Sequence, residues 1–98
     1  MSKKINYNQK PVILYYSNNS LAKANLENCC KLKATGKGEG KNYYRVEQEA
    51  QLYLIRDAML KKPTLNLKKI VGIKQEIDYD YEKEGLVKIT LRGIALFK

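Results

Sequence analysis

From Glu76 to Arg92 the chain changes chemical character almost residue by residue, and a period of two marks a strand with one wet and one dry side. Glu76, Asp78, Asp80 and Glu82 are acidic, while Ile77, Tyr79 and Tyr81 between them are apolar or aromatic; Val71 and Ile73 extend the odd set upstream. After Lys83-Glu84-Gly85 the pattern resumes, with Val87, Ile89 and Leu91 on one side and Lys88, Thr90 and Arg92 on the other. This predicts a β-hairpin. Keeping the apolar sides together pairs Tyr81 with Val87, Tyr79 with Ile89 and Ile77 with Leu91, and sets Asp80 opposite Lys88 and Glu76 opposite Arg92.

Upstream the pattern turns helical. Val46, Ala50, Leu54 and Ala58 form an apolar row with Ile55 and Met59 beside it. Glu47 and Glu49 lie in the first turns, Lys61 and Lys62 in the last, and Pro63 stops the segment, which predicts a helix from about Val46 to about Lys62. Pro11 opens the β-branched and aromatic run Val12–Tyr16, read as a strand. The Ser17–Ser20 cluster caps a shorter helix from about Ser20 to about Lys31, with Ala22, Leu26, Cys29 and Cys30 at helical spacing. Residues 31–35 extend as a strand, the alternating glycines of Gly36–Lys41 make a turn, and Asn42–Val46 returns as the partner strand.

The order strand, helix, strand, strand, helix, strand, strand predicts an α+β fold with two helices packed on one face of a mainly antiparallel sheet. Its specific form is a ferredoxin-like βαββαβ core with an added C-terminal strand. With 98 residues, 44% of them apolar, there is material for one core, so residues 11–98 are read as a single domain. Residues 1–10, with three lysines and no periodicity, are read as a flexible basic arm.

Charge narrows the choice of partner. Sixteen lysines and three arginines against ten acids leave the chain at +9, and residues 1–41 hold eight lysines against two glutamates. Such a field attracts polyanions, although abundant Lys, Asn and Tyr also follow from AT-rich coding. Catalysis has little to work with. Histidine is absent, which removes the commonest general base, the Ser-His and Cys-His pairs and the commonest transition-metal ligand. The glycine stretch Gly36–Asn42 is one residue short of a phosphate-binding P-loop and has Asn42 in place of the hydroxyl residue. The carboxylate ladder of residues 76–82 is read as a solvated face paired with Lys88 and Arg92, so no metal site and no cofactor is expected.

Cys29 and Cys30 are adjacent and poorly placed to bridge each other, so they are read as free thiols of a reducing compartment. The longest apolar run is five residues, where a membrane span needs ~20 and a secretory core ~7–15. A cytoplasmic protein with no membrane partner is expected, in its own cell or in a host cell.

Leu14-Tyr15-Tyr16-Ser17-Asn18 is partly similar to the first-strand motif of the RNA recognition motif family, and Gly40–Val46, with Tyr43 and Tyr44, is loosely similar to its third-strand motif. Lys41 or Glu39 stands where that family has a basic-Gly-aromatic start, and the intervening stretch is several residues shorter than usual. The similarity covers about half the chain and identifies no family; it implies that Tyr15, Tyr43 or Tyr44 can stack on bases.

The functional expectation is a small, non-enzymatic nucleic-acid-binding protein. It contacts phosphates of DNA or RNA through Lys31, Lys33, Lys37, Lys41 and Arg45, with Tyr43 and Tyr44 as stacking groups and weak sequence preference, since Lys far outnumbers Arg. The alternative is a protein-interaction module of phage or mobile-element type, an inhibitor, accessory subunit or structural component. It would meet a protein partner or a second copy through its C-terminal hairpin.

Overall fold

The computed structural model describes residues 2–16, 29–80 and 85–97. Five strands form one mixed sheet: β1 Ser2–Tyr7, β2 Lys10–Tyr15, β3 Cys29–Glu39, β4 Leu67–Asp80 and β5 Leu86–Phe97, in spatial order β1-β2-β4-β5-β3. The β2–β4 pair is parallel and the other pairs are antiparallel. A single helix among the described residues, α1 (Tyr43–Lys61), lies along β3 and β5 on one face of the sheet.

This corrects the expectation of two helices on a mainly antiparallel sheet, and with it the ferredoxin-like order. The expected first helix falls mostly outside the described residues, and its last part, Cys29–Lys31, is the start of β3. The segment similar to a third RNA-recognition strand, Gly40–Val46, is instead a 3-10 turn, Gly40–Asn42, running into α1.

The glycine stretch is the most instructive correction. Only its end turns, at Gly40–Asn42: β3 runs straight through Gly36 and Gly38, paired in register with β5 as far as Glu39 opposite Leu86. A Cβ on Gly36 would lie 2.6 Å from the Val46 carbonyl oxygen and 3.0 Å from the Ala50 amide nitrogen; one on Gly38 would lie 2.6 Å from Val46 Cγ2. Glycine is used here so that helix backbone can approach strand backbone, the strand-interior role of the residue rather than its turn role. At the end of β3 the Gly40 amide donates to the Gly85 carbonyl, which ties the entry of α1 to the β4–β5 turn.

The apolar row of α1 is buried as its spacing predicts, with Val46, Ala50, Leu54, Ile55 and Ala58 inside. They meet Leu32 and Ala34 of β3, Val87, Ile89, Leu91 and Ala95 of β5, Ile70 and Ile73 of β4, and Val12 and Leu14 of β2 in one core. The N-terminal stretch is also ordered differently from an arm. Residues 2–7 pair with β2 across a hairpin whose central residues, Asn8 (φ 48°) and Gln9 (φ 68°), are both left-handed, as a two-residue type I′ turn requires.

The C-terminal hairpin forms with the expected faces but a register shifted by two: Tyr79 opposes Val87, Ile77 opposes Ile89 and Asp78 opposes Lys88. The expected partner Tyr81 lies outside the described residues. A shift of two preserves every side chain's face. The odd set does not continue to Val71, however. Between Val71, which opposes Ile94, and Lys74, which opposes Arg92, β4 carries one extra residue, a bulge with Gly72 at φ 63°. The bulge reverses the parity, so Ile73 joins the core beneath the helix and Lys74 points to the opposite face. Among the described residues no helix is long and apolar enough to cross a membrane.

Candidate nucleic-acid interface

Because strand side chains alternate, the residues of β3 that flank its helix-facing set project from the face of the sheet turned away from α1, termed the open face because no described element packs on it. These are Lys31, Lys33, Thr35 and Lys37, and the three lysines are exposed. The register brings further cations beside them from strands remote in sequence. Lys33 opposes Arg92 on β5, and Arg92 in turn opposes Lys74 on β4, so three cations stand in a row across three adjacent strands. Two residues further along, Thr35, Thr90 and Glu76 form the next row, in which the two threonine hydroxyls lie 3.3 Å apart. The row beyond is Lys37, Lys88 and Asp78.

Glu76 reaches back diagonally to Arg92, with Oε1 3.2 Å from Nη1 and both side chains about half exposed. The pair foreseen as directly opposite is therefore made on the diagonal. Among the described residues neither Lys33 nor Lys74 has an ion-pair partner. Lys31, Lys33, Lys74 and Arg92 surround a shallow depression of about 540 Å³ with Gly72 and Gly93 on its floor. It lies where the bulge interrupts the row of side chains.

The site foreseen from the sequence is thus divided between two layers. Lys31, Lys33 and Lys37 are together on the open face. Tyr43, Tyr44 and Arg45 belong to the first turn of α1, on the other side of the sheet, and Lys41 sits in the turn before it. Tyr43 packs against the core and accepts a 2.9 Å hydrogen bond from Gln75 Nε2, while Tyr44 is 85% exposed and meets Tyr43 edge-on at 5.8 Å. Neither tyrosine can stack on a base whose phosphate rests on Lys33. Lys74, Lys88 and Arg92, absent from the expected set, take the places beside the lysines. The signal for Lys88 and Arg92 was the alternation of β5; for Lys74 the bulge concealed it.

Burial and the neighbouring Glu47 push the Tyr43 hydroxyl's pKa up, partly offset by Gln75. Burial does the same for Tyr16, whose oxygen accepts a 2.7 Å hydrogen bond from Gln51 Nε2. The amide of Gln51, itself fully buried, also accepts from Lys3 Nζ at 3.1 Å, so it joins β1 and the segment after β2 to α1. Desolvation raises the Cys30 thiol as well, so it is protonated and weakly nucleophilic at neutral pH. Among the described residues no three His, Cys, Asp or Glu side chains are grouped closely enough to hold a metal ion. Compared with known proteins, the chain matches no family model, no curated relative and no solved structure.

Proposed function

We propose that the protein acts by binding rather than catalysis, and that the open face of β3, β5 and β4 holds the phosphodiester backbone of nucleic acid. The observation that carries this is the row Lys33–Arg92–Lys74. Like charges placed directly opposite on neighbouring strands weaken a sheet, by roughly 0.2–1 kcal/mol per pair, and only Arg92 of the three has a carboxylate beside it among the described residues. Folding gains nothing from such a row, whereas an anion seated on it would meet all three charges within a Debye length.

The test is the paired substitution Lys33→Gln and Lys74→Gln in the full chain, with affinity for oligonucleotides followed over a salt series. Loss of two phosphate contacts should flatten the slope of log K against log salt by roughly 1.4–1.8 and weaken binding about tenfold or more at low salt. Absence of binding at low salt, or an affinity indifferent to both salt and the substitutions, would reject the proposal.

A second reading has its own observation. Ile77, Tyr79 and Leu86, next to the hairpin tip, are exposed, and apolar side chains grouped there suit a protein surface. If that tip joins two copies of the chain, light scattering should show a mass that rises with concentration and returns to the monomer value on Tyr79→Ser; a constant monomer discards it.

A further inference from the structure

Resting on the nucleic-acid reading, we infer that the ligand of the open face is a duplex, held by its phosphates alone, rather than a single strand held by stacked bases. The inference comes from where the aromatic rings are. Single-strand sites combine a cationic groove with aromatic platforms worth roughly 1–3 kcal/mol per stacked base. On this molecule the two are on opposite layers. The cationic strands β3 and β5 carry no aromatic residue on the open face, and the ring that reaches that face among the described residues, Tyr15 of β2, has the Lys69 ammonium over it, 5.6 Å from its centroid. Among the described residues the exposed rings Tyr44 and Tyr53 belong to α1, and Tyr79, opposite the core residue Val87, is on the helix side of the sheet as well.

A single strand laid across the Lys33–Arg92–Lys74 row would meet its cations but would leave its bases without a platform. A duplex leaves its bases stacked within itself. It also offers one charge per ~1.7 Å of axis where one strand offers one per ~3.4 Å, so a purely electrostatic surface favours it. The row spans two strand spacings, ~10 Å, which is one phosphate ridge wide. Base reading is weak on the same grounds: the one arginine of the row is engaged by Glu76, and lysine lacks the planar fork that reads guanine edges. Binding is therefore insensitive to sequence.

The experiment measures fluorescence anisotropy of the full chain with a DNA duplex and an RNA duplex of about 20 base pairs and with each component strand, at ~50 mM salt. At least one duplex should bind roughly tenfold tighter than either of its own strands, and the two duplex arms identify which helical form fits the face. Tyr44→Ala, at an exposed position on the helix side, should leave every affinity unchanged. Single strands that bind as tightly as the duplexes, or a loss of affinity in Tyr44→Ala, would overturn the inference while leaving the nucleic-acid reading intact. Failure of all six ligands to bind would end both.

Discussion

The two sides of β3 are built to opposite standards. On the side facing α1 its residues are Leu32, Ala34, Gly36 and Gly38, shrinking along the strand until no side chain remains where the helix backbone comes closest. On the other side Lys31, Lys33 and Lys37 are long, charged and set beside further cations from β5 and β4. The first pattern is explained by packing, since anything larger would force the helix away. The second has no such explanation, because a folded sheet needs neither the charge nor its alignment. The comparison separates what the fold requires from what it merely tolerates, and the tolerated side is the place to look for a ligand.

The largest effect should come from disturbing the dry side. Gly36→Ala places a methyl against backbone atoms of Val46 and Ala50, which cannot rotate away, so about 3 kcal/mol of stability should be lost, read as a lower urea midpoint at unchanged slope. Gly38→Ala meets only the tip of the Val46 side chain and should cost about 1 kcal/mol. Equal costs at the two positions would show that α1 does not rest on β3 as tightly as the geometry indicates. The wet side should respond with the opposite sign. Lys33→Gln with Lys74→Gln removes both like-charge pairs and should raise stability by roughly 0.5–1 kcal/mol in low salt, with the gain shrinking as salt is added. A loss of stability would mean that the row contributes to folding after all.

How much of this was legible depends on which signal each element carried. The helix was readable because Val46, Ala50, Leu54 and Ala58 recur at its period and Pro63 ends it. The faces of the hairpin were readable because parity survives a two-residue error, although the register itself was not. The glycines misled because local sequence does not distinguish a glycine that bends the chain from one that makes room for a distant helix. The N-terminal hairpin was missed because its turn places Asn8 and Gln9, not glycine, at left-handed positions. As for the site, Lys31, Lys33 and Lys37 could be named from chain position. Their neighbours could not, since Arg92 and Lys74 join them only through pairing of strands distant in sequence and through a bulge at Gly72.

The smallest effect is also the most discriminating. Glu76 is the carboxylate bonded to Arg92, beside the charged row, with both partners about half exposed to water. If the row exists for folding, Glu76 is its neutraliser, and Glu76→Gln should leave three uncompensated cations and a visibly weaker protein. If the row exists for a polyanion, Glu76 opposes the ligand as much as it steadies the arginine. The substitution then costs only a few tenths of a kcal/mol, as expected for an exposed ion pair, while affinity for duplex rises about two- to threefold. Thermal unfolding and anisotropy on the same preparation read the two quantities independently. Weaker binding in Glu76→Gln would mean that the carboxylate holds Arg92 in the orientation the phosphate needs, and the electrostatic account of the face would have to give way to a geometric one.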